Sequence, residues 1–310
     1  MAPAAQWMKG LTPEMVQRAE DELGETPQLR KQSLKELKEL INGQKTFCPV
    51  MDDSFLLRFL RCKKYDVKKA FITLKNYHDF KNRYSGTITD RTPSKLKNVL
   101  EMDCVFLTPK RGPNGEGVAI VFLGKFDIEN LSAFELYAAT FLCADIGIET
   151  EASQVCGGAL IFDFQGITLN KLRHFSNPSY LACLVRGIQN CFPYRIPGFH
   201  MVHEPSYFSM TYSIVKPMLS KKLKERVHFH GNDLSSLHKF YPPEILPKEL
   251  GGHLGEKEFE EFRTYILSKE SFIEKLNKYV YNGHDSFYDE EENTRRKIRL
   301  QEENLKNLTL

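Results

Sequence analysis

Apolar residues in the first 90 positions recur at the spacing of amphipathic helices. One segment begins at Thr26-Pro27 and ends at Asn42-Gly43, which are typical start and stop signals of a helix. Two further segments of the same kind follow before residue 86, each opening on an aspartate. The pattern therefore predicts a small all-helical N-terminal lobe over residues 1–90.

From about residue 100 the pattern changes to short apolar runs that alternate with helical stretches. The runs predicted to be strands cover residues 105–108, 118–123, 159–164, 199–203 and 227–230. The first two flank a Gly-rich turn, as in a hairpin or another pair of adjacent strands. The later ones are separated by one helix each, the mark of right-handed βαβ crossovers. Residues 91–270 are therefore predicted to form an α/β domain with a mostly parallel sheet.

The predicted helix over residues 207–219 is apolar around most of its circumference. Its apolar positions are Tyr207, Phe208, Met210, Ile214, Val215, Met218 and Leu219. Such an element is either buried in an ordinary core or covers a cavity and becomes exposed when it moves. The pattern alone favours the core. Beyond the α/β domain, residues 271–310 become increasingly charged and are predicted to form a charged helical tail.

Composition narrows the class of protein. Of the 310 residues, 22 are Phe and 13 are Tyr against a single Trp, a surplus of rings that suits a packed core or a ligand cavity. No run of about 18 apolar residues occurs, so no membrane span is expected. The first ten residues lack an apolar core of signal-peptide length, so secretion is not expected either.

Cysteine usage and charge point to a cytoplasmic protein without nucleic-acid partners. The seven cysteines are scattered and show no C-x-x-C spacing, which fits reduced thiols in cytosol better than disulfides or a metal site. The formal net charge of +3 is too small for a nucleic-acid-binding protein, and basic residues are interspersed with acids. Any functional basicity must therefore be local.

Catalytic motifs are not found. The sequence contains no Walker loop, no G-x-S-x-G, no H-E-x-x-H and no G-x-G-x-x-G after a strand. His228 and His230 would share one face of a strand, but a third metal ligand is not identifiable, and a structural role is favoured. Asp163 stands inside an apolar strand, where a hydrogen-bonded structural carboxylate is favoured over a general base. We expect no catalytic residues and no bound metal.

Two groups of basic residues have two interpretations each. Four cations in residues 221–226 follow the apolar helix, and Arg195 lies in an aromatic turn. With Arg58 and Arg61 they could form one patch for an anionic lipid headgroup, because Arg forks match phosphate and Lys adds charge. The alternative is a solvated basic surface, which composition alone favours.

Six segments together carry a resemblance to a known family: residues 53–61, 158–166, 190–195, 203–205, 223–231 and 247–252. They resemble the CRAL-TRIO lipid-binding family. They occur in the family's order and cover roughly residues 30–270. The resemblance implies a helical N-terminal lobe and an α/β lobe, whose sheet floors a hydrophobic pocket closed by a gate helix near residues 205–219.

The resemblance also implies a function. Family members carry tocopherols, retinoids, phosphatidylinositol or other lipids without changing them, so we expect a monomeric, non-enzymatic carrier with one lipid ligand and no cofactor. It would exchange this ligand during transient contact with phosphoinositide-containing endosomal or other intracellular membranes. A phosphatidylinositol-binding trafficking adaptor or scaffold is the alternative, and an α/β enzyme using Asp163 is a third, weaker one.

Two sets of site residues follow from the resemblance. In tocopherol-carrying members a basic cleft binds phosphatidylinositol phosphates, and the matching positions here are Arg61, Arg195, Lys222 and Arg226. Pro197 replaces a further Arg of that pattern, so headgroup preference could differ. The hydrophobic pocket is expected to be lined by Phe122, Leu136, Phe141, Ile161, Phe164, Leu184, Ile188, Val202 and Ile214.

Overall fold

The computed structural model describes residues 5–45 and 47–278 of the chain. The α-helices are α1 (Pro13–Leu23), α2 (Pro27–Asn42), α3 (Asp53–Cys62), α4 (Val67–Arg83), α5 (Lys97–Leu100), α6 (Ala133–Gly147), α7 (Glu151–Cys156), α8 (Leu169–Phe175), α9 (Pro178–Arg186), α10 (Phe208–Val215), α11 (Lys221–Lys224), α12 (Leu234–His238), α13 (Glu256–Leu267) and α14 (Glu270–Asn277). The strands are β1 (Val105–Leu107), β2 (Gly117–Phe122), β3 (Gly158–Asp163), β4 (Phe199–Val202) and β5 (Val227–Phe229). None of the described helices is both long and apolar enough to cross a membrane.

Local capping explains where the N-terminal helices begin. The Thr26 hydroxyl accepts a hydrogen bond from the Leu29 amide at 3.1 Å, and Pro27 occupies the first helical position, as the sequence predicts. Helix α1 carries the same signals but was not predicted. It begins after Thr12, ends at Gly24 with φ of 68°, and buries only three side chains spaced four residues apart. So short an apolar stripe is easily missed.

The sheet confirms the predicted fold class. Its strand order follows the chain from β1 to β5, with β1 antiparallel to β2 and all later neighbours parallel. Because each pair of consecutive parallel strands is joined by helical segments, the architecture is α/β with a helical N-terminal lobe. The predicted hairpin-like pair and the predicted parallel strands are both present.

Alternation along the strands gives the sheet two chemically different faces. On one face, called here the front face, Leu160, Phe162 and Met201 point toward an internal cavity. On the back face, Phe122 lies 6.0 Å from Phe259 of α13. The same alternation sends His200, on the strand that carries Met201, to the back, where its ring stacks on other histidines. One face of the sheet therefore packs against helices and the other borders empty space.

An ion-pair cluster ties the helical lobe to the α/β lobe. Arg61, on α3, is fully buried and donates to both carboxylate oxygens of Glu25, at 2.7 and 2.9 Å. It also donates to Glu151 at 3.0 Å and to the Gln154 side-chain oxygen at 2.8 Å, both on α7. Arg30 adds a more exposed charge to the same two carboxylates. Residues far apart in sequence are thereby joined through one guanidinium.

The last described helix packs into the main core. Ile273 and Leu276 of α14 are buried, and Lys81 of α4 donates to the Asn277 side chain at 2.9 Å. The first residues of the predicted charged tail are thus part of the packed body. The charge-dense stretch of that tail, residues 289–306, lies outside the described residues. The predicted domain boundaries at residues 90 and 270 stay a prediction.

We expect Arg61→Met to lower the free energy of unfolding by about 3–5 kcal/mol, because removal of one partner leaves buried carboxylate charge uncompensated. Burial acts to raise the pKa of Glu25, but the hydrogen bonds and charge of Arg61 outweigh it and lower that pKa below its ordinary value. The stabilisation is therefore present above the ordinary carboxyl pKa and fades as pH falls through the lowered one. Urea unfolding at pH 7 and at acidic pH should show a smaller difference between variant and wild type in acid.

Arg30→Met is the matched control, because Arg30 contacts the same carboxylates from a partly exposed position. Its cost should stay below about 1 kcal/mol. An equal loss in both variants would show that burial of Arg61 does not matter.

Candidate functional site

A large apolar cavity lies between the front face of the sheet and helices α6 and α9. It consists of two adjoining chambers, each with a volume of about 130 Å³; the first is bordered by Leu136 and Phe141, the second by Phe164 and Phe208. Both chambers are bordered by the same five side chains: Leu123, Phe162, Tyr180, Leu184 and Ile188. The lining is apolar apart from a few hydroxyl, thiol and amide groups.

The structure places five of the nine predicted pocket residues on the cavity wall. They are Leu136, Phe141, Phe164, Leu184 and Ile188. The other three strand residues, Phe122, Ile161 and Val202, are instead buried on the back face of the sheet. Each is adjacent in sequence to a residue on the front face, and successive side chains of a strand point to opposite faces. Ile214 packs against the core from α10 but does not border either chamber.

Several cavity residues were missed by sequence reasoning. Phe162 and Met201 are the front-face neighbours of Ile161 and Val202, and Tyr180 belongs to the buried side of α9. A strict two-residue alternation, started from the polar back-face residues Asp163 on β3 and His200 on β4, would have found the two strand positions. Helix α9 has no polar residue that identifies its buried side, since its apolar residues cover more than one side.

Helix α10 covers the second chamber. Five residues of α10 and the turn that follows it face that chamber: Phe208, Thr211, Tyr212, Val215 and Leu219. The ring of Phe208 packs on Phe164, with ring centroids 4.5 Å apart. Met210 is 59% exposed on the outer side. The apolar helix is therefore not embedded in the core, and the interpretation as a cover is the one that fits its position. Its α-helical part ends at Val215 because Pro217 lacks the amide needed to continue it.

The cover is held by few polar contacts. Tyr207 donates to the Ile167 carbonyl at 3.3 Å, and the hydroxyls of Thr211 and Ser176 lie 2.7 Å apart. Met218 follows in a single 3₁₀ turn, and its carbonyl accepts from the side chain of Gln189 at 2.9 Å. The Gln189 oxygen in turn accepts from the Ser220 amide at 2.7 Å. One side chain thus joins the end of the cover to the start of the basic helix α11.

Three of the four predicted headgroup residues gather at one surface, called here the basic cluster and comprising Arg195, Lys222 and Arg226. Burial lowers the pKa of Lys222, and the nearby charge of Arg226 lowers it further. Burial likewise lowers the pKa of Arg226, with a smaller effect from the charge of Arg195. Positive charges lower one another's pKa in this way only when they lie close together, so these three side chains are neighbours.

Arg61 is not part of this surface. Its guanidinium is buried and committed to Glu25 and Glu151, as described above. Arg58 is buried as well, with its guanidinium 4.6 Å from the centre of the Phe55 ring. A lysine three residues after Arg61 is closer to the cluster: burial and the charge of Arg226 lower the pKa of Lys222, and the charge of Lys64 lowers it further. Sequence reasoning missed Lys64.

The histidines and the strand carboxylate have structural partners on the back face. Asp163 lies 2.7 Å from Nδ1 of His203 and accepts from the Gln165 amide at 2.9 Å. The rings of His200 and His230 are joined at 3.0 Å, and burial, followed by the charge of His228, lowers the pKa of His200 to about 3. Within residues 5–45 and 47–278, no three potential ligands are arranged to hold a metal ion.

We expect Phe208→Ala to lower the free energy of unfolding by about 3 kcal/mol, because its ring fills the contact between cover and sheet. Met210→Ala, two residues away on the exposed side, should change it by no more than about 0.5 kcal/mol. Urea denaturation followed by far-UV circular dichroism measures both. Equal costs would contradict the placement of α10 as a surface cover with one packed side.

Comparison with known proteins identifies two matching family models. The model described as "CRAL/TRIO domain" matches residues 101–252, and the one described as "CRAL/TRIO, N-terminal domain" matches residues 31–76. The protein named alpha-tocopherol transfer protein-like, from Mus musculus, is 34% identical over 269 residues, which cover 86% of this chain and 78% of that protein. Clavesin-2 from Homo sapiens is 30% identical over 248 residues, covering 79% and 76%.

The fold is also similar to a solved structure. The crystal structure of Sfh5 superimposes with a TM-score of 0.51 at 13% sequence identity, over 86% of this chain and 99% of that one. At that level of identity the similarity concerns the fold.

Proposed function

Because this chain belongs to the CRAL/TRIO family, we propose that it is a carrier for one hydrophobic molecule, such as a tocopherol, a retinoid or a related lipid. The observation that supports the proposal most directly is the apolar cavity closed by α10. The name of the relative from Mus musculus, which refers to tocopherol transfer, supports the same class of cargo. The carrier would hold its cargo without changing it.

A closed apolar cavity addresses the main barrier to lipid movement. Moving a lipid through water exposes its apolar surface, at a cost of about 25 cal/mol per Å². A carrier avoids that cost if it opens only where a membrane supplies an apolar surface. Met210 on the outer side of α10 and the exposed ring of Phe229, 5.0 Å from the Tyr212 ring, give the cover an apolar exterior for such contact.

The basic cluster would direct the carrier to phosphoinositide-containing membranes. Lys222 provides an ammonium and Arg226 a guanidinium within one surface, and Lys64 adds a third charge. The guanidinium of Arg195 lies beside them and is paired with the carboxylate of Glu22. Gln189 joins the end of the cover to the start of α11, which carries Lys222. Docking of a headgroup and opening of the cover would therefore be mechanically coupled.

The same proposal includes the setting. All seven cysteines are free thiols, as expected in a reducing compartment. We place the protein in the cytoplasm, with transient association to intracellular membranes during exchange.

We expect Arg226→Glu to slow phosphoinositide-stimulated release of cargo at least about fivefold, because each basic residue near an anionic surface contributes about 1 kcal/mol of attraction. Affinity for the cargo should be nearly unchanged. The measurement is transfer of fluorescent tocopherol or retinol between liposomes with and without phosphoinositides.

Lys257→Glu, a charge reversal on the exposed side of α13, is the matched control and should behave as wild type. Lys64→Glu should resemble Arg226→Glu. Loss of cargo affinity and of release by equal factors in Arg226→Glu would contradict a headgroup site separate from the cavity. Failure of wild type to bind any apolar ligand would rule out a carrier.

We expect Leu184→Trp to weaken cargo binding at least about tenfold, because Leu184 borders both chambers and a larger side chain there divides the cavity. Leu40→Trp, at an exposed position of α2, is the control for the added ring and should bind as wild type. Titration with retinol or a fluorescent tocopherol gives the two dissociation constants. Undiminished binding by Leu184→Trp would place the cargo outside this cavity.

A further inference from the structure

A short N-terminal segment closes one end of the first chamber. This segment, called here the strap, consists of residues 5–7. Ala5 forms a bridge with Lys110, and the Gln6 amide donates to the Pro109 carbonyl at 2.8 Å. The ring of Trp7 stacks on Tyr265 of α13 with centroids 4.1 Å apart. Backbone and side-chain contacts on both sides therefore hold the strap in one position.

Arg111 fixes the middle of the strap. Its buried guanidinium donates to the Gln6 carbonyl at 2.6 Å, and also to the hydroxyls of Thr150 and Ser153 at 2.9 and 3.0 Å. These bonds direct the charge of Arg111 toward the Gln6 backbone and α7. Arg111 does not border the described chambers. The orientation of Gln6 is thus set without the use of its side chain.

The side chain of Gln6 is fully buried and borders the first chamber. Its Nε2 and Oε1 atoms have no hydrogen-bond partner in the part of the chain that the structure describes. A buried amide in this condition loses about 1–3 kcal/mol for each unpaired group, so a partner that restores the bonds is strongly favoured. None of the described residues that line the chamber, hydroxyl-bearing ones included, provides that partner.

Two glycines make room at this end of the chamber, one for the amide and one for a tyrosine ring. Gly117 and Gly158 are paired in register on β2 and β3. A Cβ on Gly117 would lie 2.9 Å from Nε2 of Gln6, and a Cβ on Gly158 would lie 2.6 Å from the Tyr194 ring. Side chains at these positions would displace the groups that form this end of the chamber. The chamber therefore ends at a polar amide for which Gly117 leaves room, beside the Tyr194 ring for which Gly158 leaves room.

We propose that Gln6 is the specificity-determining residue for the polar end of the cargo, and that this end is a neutral hydroxyl group. A hydroxyl both donates and accepts, so it can bond Oε1 and Nε2 together. A charged headgroup would need a counter-charge on the wall, but within the described part of the chain no Lys or Arg borders the first chamber. Arg111, which contacts the Gln6 backbone, donates to other oxygens. The inference rests on the proposed function, since it assigns the end of the cargo that the carrier recognises.

The test compares alcohols with their methyl ethers, which cannot donate a hydrogen bond. Retinol and α-tocopherol, each paired with its methyl ether, are titrated against wild type, Gln6→Met and Gln17→Met by displacement of a fluorescent apolar probe. Gln17→Met is the control, because Gln17 is exposed on α1. Wild type and Gln17→Met should prefer at least one alcohol over its ether by about tenfold, the factor expected for an unpaired buried polar group. In Gln6→Met the ratio should fall to about one, with the affinity for the ether retained.

The single tryptophan of the chain reports whether the strap stays in place. Trp7 adjoins Gln6 and stacks on Tyr265, so its emission spectrum should be the same in Gln6→Met and wild type. Should it shift, Gln6→Asn, which keeps the amide but withdraws it by one methylene, replaces Gln6→Met and should reduce the preference for the alcohol.

The possible outcomes are distinguishable. Equal affinity of wild type for every alcohol and its ether would overturn the role of Gln6 while leaving the carrier function intact. An unchanged preference in a Gln6 variant would overturn it too. Absence of any displacement of the apolar probe, or of any probe binding, would instead contradict the proposed function itself.

Discussion

The two-residue alternation of the strands is the constraint on which the rest of the structure depends. Each strand sends successive side chains to opposite faces, so an apolar strand in this sheet must find two different environments. The back face meets α13 and the histidine stack. The front face cannot be filled in the same way, because α6 and α9 stand away from it and leave a cavity. Helix α10 then has to cover an opening rather than complete a core.

The sequence predicted the architecture well because its signals are local. Each helix or strand is indicated by residues within it or next to it, as by Thr26-Pro27 and Asn42-Gly43 for α2 and by the five apolar runs for the strands. The structure contains all of these elements. Family resemblance supplied what periodicity could not, namely that the helix over residues 207–219 covers a cavity. Its position above Phe164 depends on a contact between segments more than 40 residues apart, which no local pattern encodes.

The site was predicted less completely, for two physical reasons. Ile161 and Val202 are as apolar as their front-face neighbours, so hydrophobicity alone cannot assign a face in a sheet that is buried on both sides. Arg61 was assigned to a surface because it is charged, whereas its carboxylate partners, Glu25 and Glu151, are 36 and 90 residues away in sequence. Gln6 carries no motif at all. Its position becomes meaningful only when the strap is seen against the chamber.

The paired glycines of β2 and β3 have a consequence for how the cavity can diversify. Because Gly117 and Gly158 have no side chains, Gln6 and Tyr194 can occupy the end of the chamber. The length of the chamber therefore depends on two positions that have no side chain to contact a cargo. A single added methyl group at either position would move Gln6 or Tyr194 and leave the strand pairing intact, since the ladder uses only backbone groups. Relatives of this protein could therefore shorten or reshape the chamber in one-residue steps, and divergence of cargo need not pass through an unstable intermediate fold.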